Sequence, residues 1–168
     1  MADWKEIKPE ELEKNTFQTI GKDWMLVTAG KAEKANTMTA SWGGLGVMWA
    51  KNVAYVVIRP QRYTKKFIDQ EKNFSLSFFD NSFRKTLNYL GTVSGKDEDK
   101  ITKSGLTLLN ENGTPYFAEA NTVIFCRKLF AQEISEESFL DKELIEKWFA
   151  AKDYHTLYIA EITKIITK

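Results

Sequence analysis

Apolar and polar positions alternate along the chain from Asp23 to Pro60. WMLVTAG, NTMTASWG, GVMWA and VAYVVIRP are rich in Val, Thr, Tyr and Trp and are separated by Gly, Asn and Lys. That pattern predicts short strands joined by short turns. NFSLSFFD (Asn73 to Asp80), a long run from Thr122 to Ile134 and the closing HTLYIAEITKII extend the same series. Helical spacing interrupts it in four places. Pro9 to Lys14 opens on Pro-Glu-Glu, which suits a first helical turn. YTKKFIDQEK carries Phe67 and Ile68 among lysines, and Phe83 to Gly91 reads as a helix with Ser82 as N-cap and Gly91 as its stop. Asp141 to Lys152 reads as an amphipathic helix opened by Asp141. Ser94 to Gly105 is a polar loop with a short helical turn. Short strands without regular β-α-β alternation predict an antiparallel sheet or barrel with helices, mainly β. No internal repeat or linker appears, so residues 1–168 are expected to form a single domain.

One segment stands apart. In ANTMTASWGGLGVMWA, residues 35–50, Thr37, Thr39 and Ser41 alternate with Met38, Ala40 and Trp42. A period of two places the hydroxyls on one strand face. Such a face is compatible with simple solvation. It is equally compatible with a polar ligand, because the segment carries no charge and Gly43, Gly44 and Gly46 permit close approach of a backbone or a flat molecule. Downstream, an apolar strand ends at Arg59, Pro60 forces a turn, and a helix begins near Tyr63 or Thr64. Arg59, Arg62, a hydroxyl and free helix N–H groups suit a phosphate, or else form a solvated basic turn.

Several familiar motifs fail. GTVSGKDED is one residue short of a phosphate-binding P-loop and has Asp97 where Ser or Thr is needed. WGGLGV lacks the dinucleotide fingerprint's spacing, and Asp97 with Asp99 lacks the rest of a calcium loop. His155 reads either as a packing residue or as a hydrogen-bonding group or proton shuttle. Cys126, within VIFC, reads as core.

Composition narrows the field further. The 168 residues are 43% hydrophobic and 28% charged, with a net charge of +1. That balance supplies no overall field for nucleic acid or an anionic membrane, and neither partner is expected. One cysteine and one histidine exclude an internal disulfide and a structural zinc site. MADWKEIKPEELEK has no signal-like apolar core, and no run reaches the roughly 18 apolar residues of a membrane span, so a cytoplasmic protein is expected.

Taken together, NTMTASW, IRPQRYTKKFI, NFSLSFFD and VSGKDEDKITKSGLTL, in this order and separation, resemble the flavin reductase-like family of FMN-binding split barrels. The resemblance runs from about Trp24 to DYHTLYIAEI. It implies a six-stranded antiparallel split β-barrel with flanking helices, usually a homodimer, holding FMN at a barrel edge near the subunit interface. Carried over by position, Asn36, Thr37, Met38, Thr39, Ala40, Ser41 and Trp42 would line the flavin ring. Arg59, Arg62, Tyr63 and Thr64 would hold the phosphate and ribityl chain. Ser94, Gly95, Lys96 and Lys100 would cover the cofactor, and His155 would act beside the flavin or the nicotinamide entry. The implied activity moves electrons from NADH or NADPH through flavin to free flavin, a ferric complex or a redox protein. A flavoredoxin-type carrier without direct nicotinamide turnover is the alternative. Three departures accompany the resemblance: Leu90 where many members have Cys, YIAEI where Gly often precedes the acid, and the extra segment at 135–153.

Overall fold

The computed structural model describes residues 3–31 and 33–168. Its frame is one antiparallel sheet. In chain order the strands are β1 (Lys5–Ile7), β2 (Met25–Lys31), β3 (Lys34–Ala40), β4 (Gly43–Met48), β5 (Lys51–Ile58), β6 (Asn73–Phe78), β7 (Leu108–Glu111), β8 (Thr114–Phe117), β9 (Thr122–Glu133) and β10 (Thr156–Thr167). The helices are α1 (Thr16–Gly21), α2 (Thr64–Gln70), α3 (Arg84–Thr92), α4 (Lys100–Ser104) and α5 (Glu143–Trp148). The sheet order is β3-β2-β6-β9-β10-β5-β4, with β1 added on β10 and β7–β8 forming a separate hairpin. The sheet curls without closing, because β3 and β4 are its two ends. This is the antiparallel split barrel that the family resemblance implies, with eight strands in its sheet where six are expected.

Two packed layers explain the pattern of burial. Met25, Val27 and Ala29 face the barrel interior with Met38, Val56, Phe74, Leu76, Ile124, Tyr158 and Ile165. Leu26, on the opposite face of β2, packs outward with Leu87, Leu90, Phe117, Val123 and Phe125 beneath α3 and the hairpin. Strand β2 is therefore buried on both faces up to Gly30. Register shifts between Ile159 and Ala160, and between Ile162 and Lys164, bend the long β9–β10 pair around the core.

Several boundaries differ from the sequence expectation. The Pro9 helix is a single 3-10 turn at Pro9–Glu11, and α1 follows it, capped by the Asn15 side chain accepting from the Gln18 N–H at 3.1 Å. Ser82 does not cap α3. The Asp80 carboxylate accepts from the Ser82 N–H at 2.9 Å and organises a 3-10 turn just before the helix. Gly91 does not stop α3 either. It lies inside the helix, where its lack of a side chain lets α3 approach β3: a Cβ there would stand 3.0 Å from the Thr39 Cβ. The helix expected over 141–152 shrinks to α5, although Asp141 does accept from the Glu143 N–H at 3.1 Å. The β7–β8 hairpin turns on Asn112 and Gly113, with φ of 49° and 86°. Asn-Gly is the dipeptide such a turn selects.

Candidate functional site

The open seam of the barrel carries the site. As an edge strand, β3 leaves half its backbone groups without a strand partner. Ser41 and Trp42 then cross from β3 to β4. Pairing of Thr156 with Ile58 sets His155, just before β10, beside Arg59, just after β5. Between these elements lies a cavity of about 280 Å³, lined by Met38 to Trp42, Arg59, Arg62, Trp148 and His155. A hollow of about 230 Å³ shares Thr39, Ala40 and Ser41 with it and reaches Trp24 and Asn88. Arg62 leads into a third, of about 540 Å³, with Tyr63, Ser94 and Lys96 on its walls. Tyr63 borders the largest, about 680 Å³, together with Asn36, Gly95 and Lys100.

Most residues singled out by sequence thus line one or another of these four hollows, which share lining residues along β3 and the start of α2. Thr37 and Thr64 line none of these hollows. The Thr37 hydroxyl lies 2.8 Å from the Thr28 hydroxyl on β2, its cross-strand partner. Thr64 is buried and accepts from Asn36 Nδ2 at 2.8 Å. Thr39 borders the cavity, but its hydroxyl donates to the Leu87 carbonyl of α3. The hydroxyls of β3 therefore fix the strand to its neighbours, and the strand's backbone and Ser41 are what it offers to the groove. Gly95 is required by the same packing, since a Cβ on it would fall 2.0 Å from Asn36 Oδ1.

The cations divide into two kinds. Arg59 is compensated: it donates to Asp153 at 2.6 Å and to the Trp148 carbonyl at 3.0 Å, and lies over the Phe149 ring at 5.5 Å. Hydrogen bonds from Gln61 and Arg59 hold the Asp153 carboxyl below the usual carboxylate range. Arg62 and Lys100 are different. Among the described residues neither makes an ion pair. Arg62 donates to the Gly91 carbonyl at 2.7 Å, and Lys100 donates to the Leu90 and Val93 carbonyls at 2.8 Å each. These carbonyls form the negative end of α3, which accepts cations. Burial lowers the pKa of Arg62, and burial followed by the charge of Arg62 pushes Lys100 down to about 8. Lys100 is buried and Arg62 half-buried, and neither has a carboxylate partner among the described residues, so an anion is the charge that would balance them.

His155 is 6% exposed, and its Nδ1 has no hydrogen-bond partner. Its ring lies 5.2 Å from Trp42 and 5.3 Å from Phe149. Burial, then the charge of Arg59, pushes its pKa down to about 4, so it is neutral near pH 7. A flat heteroaromatic group bearing an anionic arm fits this donor set. The aromatic walls suit the ring, and Arg62 with Lys100 suits the anion.

Sequence reasoning does not find Trp148, which stands edge-on to Trp42 with centroids 5.0 Å apart and lines the cavity. Nor does it find Asp153, whose partner Arg59 is 94 positions away. Both belong to the extra segment, and no local motif marks either.

A sequence model of the flavin reductase like domain matches residues 17–168. No functionally curated protein matches the chain. Among solved structures, the chain is similar to an FMN-binding domain of a flavin reductases-like enzyme from Shewanella baltica, with TM-score 0.71 and 17% identity over 98% of this chain and 77% of that one. It is also similar to flavoredoxin from Methanosarcina acetivorans, with TM-score 0.68 and 21% identity over 87% and 68%. An NADH:FAD oxidoreductase from Streptomyces globisporus, solved with NAD and FAD fragments, gives TM-score 0.65 and 15% identity over 87% and 74%. At these identities the structures share the fold, while the domain match spans nearly the whole sequence: the chain belongs to the flavin reductase-like family.

Proposed function

We propose that this chain binds FMN along the β3 groove and passes electrons from NADH or NADPH to an acceptor. The observation that carries this reading is a pair of cations without a carboxylate partner among the described residues: half-buried Arg62 on the cavity wall, and buried Lys100 bonded to the same end of α3. When bound, the flavin would supply hydride acceptance and electron release, chemistry that no side chain here provides.

The chain's own residues bind and orient. Arg62 and Lys100, with Tyr63, Ser94 and Lys96 around them, hold the phosphate and ribityl arm. The β3 backbone from Asn36 to Ala40, with Ser41 and Trp42, lines the ring, while Thr37 and Thr64 keep the strand and the α2 terminus in register. Arg59, already neutralised by Asp153, braces the wall and adds less to anion binding. Neutral His155 packs against Trp42 and Phe149 at the cavity wall and adds no charge there near pH 7. Trp42, Trp148 and Phe149 exclude water around it.

Two finer expectations travel with this reading. Trp49, Val47 and Met48 are exposed on the edge strand β4 and its turn, which supports a homodimer formed through that edge. Cys126 is buried and unpaired, which suits a reducing, cytoplasmic setting. A second reading, a carrier that takes electrons from a redox protein without nicotinamide turnover, draws support from Trp148, an exposed aromatic that lines the cavity and packs edge-on against Trp42.

Anaerobic stopped-flow mixing of the FMN-loaded protein with NADH and with NADPH tests the proposal. Bleaching of the flavin absorbance by either is expected. Bleaching by neither, in protein that holds FMN, overturns the nicotinamide step and leaves the carrier reading.

A further inference from the structure

The extra segment carries the strongest local charge in the molecule. Residues 133–146 hold Glu133, Glu136, Glu137, Asp141, Glu143 and Glu146 against Lys142 alone, a net of −5 in a chain whose total is +1. All six carboxylate residues are exposed, and Lys147 and Lys152 lie at the edge of the patch. Interspersed with these carboxylates along the chain stand three exposed apolar side chains: Leu140 at 99%, with Leu144 and Trp148 at 42% each. Trp148 is at once part of this surface and part of the cavity wall, through its contact with Trp42. Exposed apolar side chains among carboxylates, continuous through Trp148 with the candidate flavin cavity, describe a docking face.

From this we infer that residues 133–148 dock an electron-transfer protein whose cofactor lies behind an apolar face ringed with lysines. The inference rests on the flavin reading for what is exchanged, but the contact itself needs no flavin. A second copy of this chain is a poor occupant. A two-fold interface centred here would, with Lys147 included, set two patches of −4 against each other. Electron flow balances simply. Oxidation of one two-electron-reduced flavin reduces two one-electron haem partners, and the flavin's protons pass to water.

The test uses the full chain, flavin-free and flavin-loaded, with ferricytochrome c as the basic redox probe and binding read by isothermal titration. At about 20 mM salt binding is expected, fading by about 200 mM salt as the charges are screened. A triple variant E136K/E137K/E143K should bind about tenfold more weakly or worse. Leu140→Ser, which changes no charge, should also weaken binding. A control, D3K/E6K/E13K, carries the same charge change beside and beyond β1, which pairs with the far end of β10, and should bind as the parent does. Circular dichroism confirms that each variant is folded. Absence of binding by the parent, equal loss in the two triple variants, or an unaffected Leu140→Ser overturns the inference. So does sedimentation showing that the parent self-associates through this face and that E136K/E137K/E143K becomes monomeric. Failure of FMN to bind overturns the flavin reading instead, and leaves the titration with flavin-free protein standing on its own.

Discussion

The Arg59 guanidinium donates to the Asp153 carboxylate at 2.6 Å across 94 positions of chain, joining the end of β5 to the close of the extra segment. A second hydrogen bond from Arg59, to the Trp148 carbonyl at 3.0 Å, draws the end of α5 to the cavity wall. Gln61 shares the same carboxylate at 2.8 Å. One charge-assisted cluster thus clasps residues 148–153 to the barrel.

Asp153→Asn breaks the ionic part of that clasp while preserving shape. Tryptic cleavage at Lys142, Lys147 and Lys152 should accelerate about fivefold as the segment opens more often, with the circular dichroism spectrum unchanged. Equal cleavage rates would show that aromatic packing alone holds the segment.

Arg59 and Arg62 should respond differently to truncation. Arg62→Ala should weaken FMN binding by about 1.5–3 kcal/mol, or about ten- to a hundredfold, because it removes a cation with no carboxylate of its own. Arg59→Ala should cost less, because Asp153 already neutralises Arg59. Fluorescence titration of FMN against both variants decides between them. The reverse order would reassign the anion site to Arg59.

Lys100 gives a pH signature. Its folded pKa is about 8 against an ordinary 10.5. Between these values the unfolded chain holds a proton that the folded chain lacks, so stability contributed through Lys100 rises with pH from about 8 to 10.5. Urea denaturation of the parent minus Lys100→Met should show this slope. FMN affinity should fall over the same range as the ammonium is lost, whereas a flat difference would contradict both effects.

His155 offers a cleaner readout, because it is the chain's sole histidine. Its imidazole signals should stay those of the neutral ring at pH 5.5 and move only near pH 4. Between pH 6.5 and 4 the unfolded state takes up the proton first, so stability falls as pH falls through that window. Titration near pH 6.5 would mean that the ring is solvated.

Gly95→Ala should destabilise the fold by about 1–3 kcal/mol through overpacking, since its Cβ would fall on Asn36 Oδ1. Gly21→Ala, with open space around it, should leave the melting temperature unchanged or raise it. Equal melting temperatures for the two variants would remove the contact between the 94–99 loop and β3 from the account.

The strands from β2 to β6 are legible in the sequence because alternation and β-branching are local properties. The β7–β8 hairpin goes unread, because its strands are only four residues each, although its Asn112-Gly113 pair is a local turn signal. What the hydroxyls of β3 touch is not legible. Periodicity puts Thr37 on a polar face, but only the pairing of Thr37 with Thr28 reveals that another strand's hydroxyl meets it there. Residues 141–152 read as a longer helix because Leu144, Ile145, Trp148 and Phe149 have helical spacing. Phe149 instead leaves the helix to pack on Phe139, Tyr154 and His155, a tertiary contact that overrides local periodicity.

The central claim is that the β3 groove, with its two uncompensated cations, is an FMN site. Isothermal titration of FMN into the flavin-free protein, in parallel with riboflavin, tests it most directly. The account predicts saturation at one FMN per chain, with riboflavin markedly weaker because it lacks the phosphate that Arg62 and Lys100 would hold. Equal affinity for FMN and riboflavin, or no binding of FMN, would contradict it.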